Sequence, residues 1–336
     1  MSYNRQHLFI TGATGFFGRS LLRHMDALER VRVNPWRVTA MTRSKEKFLL
    51  QFPEFSRMPW LHFHEGDILS GEWSFRTNIE VSHVLHAATD STPPADFSAL
   101  ARLDQIVTGT RNALEFAKQV NAKRFLLTSS GDVYGPQPSD MAKIPETFTG
   151  SPDSFDPRNS YGCGKRLAEH LCALYAAETN LEFVVARCFS FVGPDLPLDA
   201  HFAIGNFIHD ALMGAEFLIT GDGTPIRSYL YQEDLAAWLL KILTHGHPNS
   251  VYNVGSDQEV SIAQLAQLVR HLLAPSKPIT MSQKTPPQSE ARRRYVPDLR
   301  RAREELQLEI SVPLDKAILK TAYHLISNNC QLKHNP

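Results

Sequence analysis

Three glycines in the run Gly12-Ala13-Thr14-Gly15-Phe16-Phe17-Gly18 follow directly on the apolar stretch Leu8-Phe9-Ile10. An apolar-periodic segment begins immediately after them, at Ser20. A strand that breaks into closely spaced glycines and then opens a helix is suited to hold a pyrophosphate. The first glycine permits the tight turn, the second admits phosphate close to the backbone, and the third lets helix pack against strand. The helix N-terminus adds unpaired N–H groups and a partial positive charge. This placement predicts a dinucleotide held by Gly12, Thr14, Gly15, Phe16, Phe17 and Gly18.

The first half of the chain repeats the strand-then-helix alternation. Short apolar strands are expected at 6–11, 38–42, 61–64, 81–86, 124–129 and 183–187, with helices over 16–29, 103–120 and 161–179. Such alternation implies parallel pairs joined by right-handed crossovers, hence an α/β doubly wound sheet of the Rossmann kind. Ligands on these sheets collect beyond the carboxyl ends of the strands. After Gly193-Pro194 the pattern loosens into a helix at 204–213, a strand at 217–220 and the turn Gly221-Asp222-Gly223-Thr224. A helix at 233–244, a strand at 251–254, a helix at 262–273, a Pro-rich connection over 275–287 and a helix at 314–326 follow. The expected division is a cofactor domain over 1–190 and a smaller mixed α/β substrate domain over 191–336, with some exchange of segments.

Composition removes several function classes. Lys and Arg number 35 against 35 Asp and Glu, so no net field recruits nucleic acid or an acidic membrane surface. No apolar stretch approaches the roughly 20 residues that span a bilayer, and the first strand begins too early to leave room for a signal peptide. Cys163, Cys172, Cys188 and Cys330 have neither metal-ligand spacing nor the density of a disulfide scaffold. The histidines read as isolated: His62 and His64 alternate on a strand, and His245 and His247 flank a turn. A reduced, cytoplasmic, metal-free protein is expected.

Tyr161-Gly162-Cys163-Gly164-Lys165 puts a phenol and an ammonium four residues apart on one helix face. Only about one tyrosine in a thousand is ionised at neutral pH, and making a working base of it takes about 4 kcal/mol. A neighbouring ammonium and a cationic nicotinamide ring would supply that, making Tyr161 a general base toward a sugar or alcohol hydroxyl. The strand ending at Ser129 runs into Ser130-Gly131-Asp132-Val133-Tyr134-Gly135. Ser130, expected just past the ladder, is the candidate to bond the same substrate oxygen. Asp132 reads equally as an acid or base at the sugar or as a turn residue. Arg292-Arg293-Arg294 reads equally as a solvated loop or a phosphate clamp.

Taken in order, these motifs acquire a specific meaning. The glycine loop is followed by Gly66-Asp67-Ile68, His86-Ala87-Ala88, Gly109-Thr110, Ser129-Ser130, Tyr161 with Lys165, Arg187 through Pro194, Gly221-Asp222-Gly223 and Arg227 through Asp234. In this the chain resembles, over nearly its full length, an extended short-chain dehydrogenase/reductase of the NAD-dependent epimerase/dehydratase family, which acts on nucleotide-activated sugars. The resemblance implies a Rossmann domain with a smaller nucleotide-sugar domain and a tightly held NAD(P). It assigns Asp67 and Ile68 to the adenine, and Ala87 and Ala88 to the path toward the nicotinamide. Ser130, Tyr161 and Lys165 would form the catalytic trio, with Lys165 also on the nicotinamide ribose. Asn206 and Arg227 would approach the substrate diphosphate, joined by one of the three arginines, taken as Arg292. Similar proteins dimerise through two long helices, here 103–120 and 161–179, so a homodimer with a four-helix seam is expected.

Three departures bear on detail. The second strand ends in Thr42-Arg43-Ser44 and lacks the acid that bonds an NAD ribose. Arg43 suits the 2′-phosphate of NADP or stacks on adenine, so NADP is favoured with NAD left open. Ile106 and Ser190 stand where the family often has Asn, the latter beside the substrate phosphate. Oxidation of a hexose at C4 leads to epimerisation, dehydration, decarboxylation or net redox change according to the neighbours of the trio. Similar dehydratases place Asp-Glu after the catalytic hydroxyl residue; here Gly131 and Asp132 occupy those positions, which disfavours dehydration. Asp132 with Arg227 could serve a uronic-acid decarboxylase. The simplest expectation is a 4-epimerase; alternatives are a 4,6-dehydratase, a decarboxylase and a 4-dehydrogenase or reductase. A non-catalytic cofactor sensor is disfavoured because Tyr161 and Lys165 both remain.

Overall fold

The structure is a computed structural model that describes residues 6–71, 73, 80–89, 97–198, 202–281 and 293–332, with side chains to 327. Its first half runs β1 (Gln6–Thr11), α1 (Phe16–Arg30), β2 (Trp36–Thr42), α2 (Lys45–Gln51), β3 (Leu61–Glu65), β4 (His83–His86), α3 (Ala99–Gln119), β5 (Arg124–Ser130), α4 (Ser160–Glu178) and β6 (Glu182–Cys188). Then come β7 (Phe191–Val192), α5 (Ala203–Leu212), β8 (Phe217–Ile219), β9 (Ile226–Arg227), β10 (Leu230–Tyr231), α6 (Gln232–His245), β11 (Ser250–Val254), β12 (Val260–Ser261), α7 (Ile262–Leu273), β13 (Ile279–Met281), α8 (Arg300–Leu306) and α9 (Leu314–Leu332). Seven strands form one sheet in the order β11-β6-β5-β4-β1-β2-β3, every neighbouring pair parallel.

A parallel sheet buries both faces, and β1 illustrates how the sequence arranges that. Leu8 and Ile10 point into a core with Leu21, Leu22 and Met25 of α1 and Trp238 and Leu239 of α6. Phe9, between them, points the other way, into a core with Ile106, Leu114 and Phe116 of α3 and Ala168 and Leu171 of α4. A third core, from Ile204, Phe207, Leu265, Val269 and Ile318, fills the smaller mixed region. Residues on both sides of position 190 build the large sheet, because β11 pairs with β6 from Ser250↔Val184 to Val254↔Cys188. The two regions are pinned by Asp195, which accepts from Arg19 Nε at 2.8 Å and is also paired with Arg23. Among the described residues no helix is long and apolar enough to cross a membrane, and no group of three or more His, Cys, Asp or Glu side chains is placed to hold a metal ion.

Several expected boundaries shift. The strand expected at 81–86 enters the ladder only at His83, opposite Leu8. β5 runs through Ser130, which pairs with Cys188, so Ser130 is the last ladder residue and not the first one past it. The helix α3 starts earlier, where Ser98 Oγ caps Ala101 N–H at 3.1 Å. Inside the Pro-rich connection, Ile279–Met281 forms β13 alongside β8. The seven-residue helices α2 and α8 went unrecognised, being too short for apolar periodicity to stand out.

The order of the strands reverses between β1 and β4, so a crevice opens beyond Thr11 and His86, which are paired in register. Gly12 turns there with φ at +69°, and a Cβ on it would lie 2.3 Å from the Ala87 carbonyl oxygen. Gly12→Ala is therefore expected to cost at least about 2 kcal/mol in urea unfolding; an unchanged midpoint would refute the close approach. His86 is buried between Thr11 Oγ1 at 2.7 Å and Thr110 Oγ1 at 3.2 Å. Burial pushes its imidazole down to about 3, and likewise pushes His7 and His83 down to about 4. Each lies below its unfolded value, so the associated stability is whole above that value and drains away as pH falls toward the folded one. Each should cost on the order of 1–2 kcal/mol at pH 5 relative to pH 7.5. Urea midpoints that coincide at the two pH values would contradict this.

Candidate active site

The cofactor cradle is assembled from strand ends. Gly15 N–H bonds the Gly12 carbonyl at 3.1 Å to close the turn, and α1 opens with no side-chain cap and no acid in its first turn. The N–H groups there are available to an anion. Beside Gly15 only the Gly12 carbonyl oxygen, at 3.4 Å, stands near the place of a side chain, whereas a Cβ on Gly18 would lie 2.3 Å from the Ala13 backbone. Gly15 thus leaves room for a ligand and Gly18 brings α1 onto β1. Arg19 holds the loop by donating to the Thr14 carbonyl at 2.8 Å. Phe16 and Phe17 pack toward Phe191 at the loop's rear, with ring centroids 6.4 and 5.2 Å away. At the neighbouring ends, Gly66 N–H bonds the Thr42 carbonyl at 2.9 Å, bringing the exposed Arg43 and Asp67 to adjacent strand ends. Ile68 packs under Gly109, and Ala87 and Ala88 leave β4 partly buried. This cradle fits a dinucleotide: an open helix terminus for the pyrophosphate, and a row of small residues along the strand ends.

The trio converges beyond β5. Ser130, 6% exposed, accepts from Asp132 N–H at 3.1 Å and caps a short 3-10 turn, Gly131–Tyr134. The same hydroxyl lies close enough to the Tyr161 phenol to favour its ionised form. Lys165 is buried and donates to the Thr128 carbonyl at 2.8 Å and to Thr89 Oγ1 at 2.9 Å. Burial pushes its ammonium down to about 8, opposed by Cys188 and Glu169. The phenol behaves differently from expectation. Burial first, and Asp132 and Cys188 next, push Tyr161 up, against Ser130 and Arg102. Lys165 Nζ lies 5.8 Å from the ring centroid and donates to Thr89 and Thr128. The chain by itself thus pushes Tyr161 up, whereas the lowering expected from the sequence calls on Lys165 together with a cationic nicotinamide ring.

Beneath the trio lies a polar network. Glu169, one helical turn beyond Lys165, accepts from Ser129 Oγ at 2.5 Å and from Arg187 Nε and NH2 at 3.0 and 2.7 Å. Arg187 stacks over Tyr134 at 4.5 Å, and the Tyr134 hydroxyl donates to Asn253 Oδ1 at 2.8 Å. Asn253 in turn donates to the carbonyls of Ile144 and Asp298 at 2.8 and 3.1 Å. Helix α4 is thereby tied to β11 and to the segment following residue 293.

The expected substrate residues separate into groups. Asn206 lines a cavity of about 230 Å³ with Phe207, Thr220, Gly221, Gly223 and Pro225. Arg227 lies two residues beyond Pro225, on β9, where its NH1 donates to the Ile226 carbonyl at 2.8 Å. Ser190 is partly buried, its carbonyl accepting from Leu230 N–H at 3.0 Å. Arg292 lies outside the described residues. Of its neighbours, Arg294 is paired with Glu259 at 2.5 Å and is not a free clamp. Arg293 is exposed, with its charge near Asp222.

Reading the sequence missed Thr89, Arg102, Glu169 and Tyr295. Glu169 carried a signal, its i+4 spacing from Lys165; the others had none. Tyr295 is 7% exposed, stacks on Phe189 at 4.5 Å and donates to the Cys188 carbonyl at 3.5 Å. A Cβ on Gly131 would meet its hydroxyl at 2.6 Å.

With this geometry in place, comparison with known proteins is informative. Residues 8–255 match the NAD dependent epimerase/dehydratase family. UDP-glucuronic acid decarboxylase 1 of Xenopus tropicalis is 30% identical over 324 residues, 96% of this chain and 72% of that protein. UDP-glucuronic acid decarboxylase 3 of Arabidopsis thaliana is 30% identical over 320 residues, 93% of this chain and 86% of that protein. In fold the chain is similar to UDP-glucose 4-epimerase of Thermotoga maritima, with a TM-score of 0.80 and 23% identity, covering 96% of this chain and 100% of that one. A dinucleotide cradle, a convergent Ser-Tyr-Lys trio and a match across most of the chain lead to one assignment: the protein is an enzyme of the NAD-dependent epimerase/dehydratase family.

Proposed function

We propose that the enzyme acts on a nucleoside-diphosphate hexuronic acid, oxidising C4 and releasing the C6 carboxylate as carbon dioxide. This displaces simple 4-epimerisation as the favoured reading. The observation that carries it is the identity to two UDP-glucuronic acid decarboxylases along nearly the entire chain. The geometry agrees in what it leaves out. Gly131 stands where similar dehydratases carry an acid, and the Tyr295 ring, its hydroxyl 2.6 Å from the place of a Cβ there, would have to shift to admit a side chain. The chain thus presents no carboxylate at position 131 to expel a 6-hydroxyl.

When bound, a nicotinamide cofactor supplies reversible hydride acceptance at the sugar C4. The chain's own residues hold and move the protons. Tyr161, beside Ser130, takes the C4 hydroxyl proton and later returns it. A ketone at C4 makes the C6 carboxylate β to a carbonyl, so the C5–C6 bond can break with its electron pair delocalised onto the C4 oxygen; C5 then gains a proton in place of the lost carboxylate, and C4 is reduced back to the alcohol, so no net redox change remains. A protonated phenol suits that stage, and burial together with Asp132 favours it. Lys165 would orient the nicotinamide ribose, Asp132 would face the sugar, and Asn206, Ser190 and Arg227 would take the diphosphate side. Arg43 would meet the 2′-phosphate of NADP or the adenine of NAD.

The test is a panel of UDP-glucuronic acid, UDP-glucose and dTDP-glucose, each with NAD or NADP, read by mass spectrometry and proton NMR. Carbon dioxide should leave UDP-glucuronic acid without net change at 340 nm. Tyr161→Phe should lower kcat by at least about 100-fold. Unchanged mass with inverted C4, or loss of water from a hexose, would replace this reading.

The homodimer rests on α3 and α4, which expose Leu100, Leu167 and Leu174 at 74%, 43% and 45%. Light scattering should give twice the chain mass at micromolar concentration, and the monomer mass there would reject the seam.

A further inference from the structure

A cation that the reaction scheme does not use lies against the redox tyrosine. Arg102 sits in the opening turn of α3, its N–H bonded to the Ser98 carbonyl at 3.0 Å. Its guanidinium carbon is 4.6 Å from the centroid of the Tyr161 ring. Lys165, the cation on the tyrosine's own helix, is farther from the ring, at 5.8 Å. The helix dipole opposes a positive charge near a helix N-terminus, so the placement of Arg102 is not explained by α3 itself. What brings it there is Gly164. A Cβ on Gly164 would lie 3.0 Å from Ile106 Cδ1 and 3.3 Å from Leu103 Cδ1, so the bare backbone lets α3 close on α4. Arg102 is one turn before Ile106 and covers the Tyr161 face in consequence.

We propose that Arg102 is a positioning residue for Tyr161, holding the plane of its ring and biasing its hydroxyl toward the ionised form. The inference rests on the reading of Tyr161 as the proton carrier. Ionising the phenol spreads negative charge into the ring, and a cation over the ring face gains more from the anion than from the neutral form. Groups face the phenol from four elements. Ser130 comes from the end of β5 and Asp132 from the turn after it, Cys188 from β6, Lys165 from α4 and Arg102 from α3. Asp132 disfavours ionisation, whereas Cys188, a thiol that burial pushes up to about 12, is uncharged at lower pH. Arg102 and the Ser130 hydroxyl favour ionisation. Arg102 is thus the counterweight to Asp132, on the opposite side of the same hydroxyl's balance.

The experiment places 3,5-difluorotyrosine at position 161 of the full chain, which brings its titration into the stable pH range, and follows it by fluorine NMR with NAD present. Arg102→Met should raise the midpoint by about one pH unit, and Arg102→Lys should recover at least half of that. In the unlabelled enzyme, the acid limb of kcat should move the same way while KM stays within twofold. A midpoint in Arg102→Met equal to that of the parent, or in Arg102→Lys equal to that of Arg102→Met, would overturn the proposal. If Arg102→Met loses the parent circular-dichroism spectrum, Arg102→Gln makes the same comparison. The fluorine titration needs no turnover. Wild-type turnover by Tyr161→Phe would therefore defeat the functional reading alone, and a static midpoint would defeat this inference alone.

Discussion

The site depends on a buried ammonium. Removing a charge such as that of Lys165 from water costs several kcal/mol unless hydrogen bonds replace the lost solvation. The Thr128 carbonyl and the Thr89 hydroxyl supply two of them. Thr128 belongs to the central sheet and Thr89 to the chain leaving β4, so the ammonium joins α4 to two neighbouring strand ends. Tyr161, one turn earlier on the same helix, is placed by that anchorage. So is the contact between α3 and α4, because Gly164 precedes the anchor by one residue.

A second layer keeps α4 from sliding. The Arg187–Glu169 pair is mostly enclosed, with side-chain exposures of 14% and 15%. Its two bonds are reinforced by Ser129 and by the face of Tyr134. Such a pair is weak support for net stability but strict about geometry, since losing one partner leaves the other charge unpaired. The path continues through Asn253 to the carbonyl of Asp298. The turn after Ser130 and the C-terminal segment that carries Tyr295 are therefore parts of one network, although distant in sequence.

Much of this was legible in the chain. Gly12, Gly15 and Gly18 announced the first βα turn, and the alternation of apolar runs announced the parallel sheet, because both follow from local backbone and burial requirements. Tyr161 and Lys165 were found through helical spacing. The state of the phenol was not, because burial and Asp132 act through space and no spacing encodes them. Arg102 and Tyr295 were invisible for a related reason: each reaches the site only once α3 has closed on α4 or the segment after residue 293 has crossed the sheet. Asp132 and Arg227 leave a decarboxylase open in the sequence, yet the trio does not separate the reactions, since it is common to all of them.

The meeting of Gly131 and Tyr295 also constrains how this enzyme can diverge. A side chain introduced at 131 meets an aromatic ring packed on Phe189, so that ring must shift to admit it. A change of chemistry at that point therefore draws Tyr295 into the same step, and the two positions are expected to vary together.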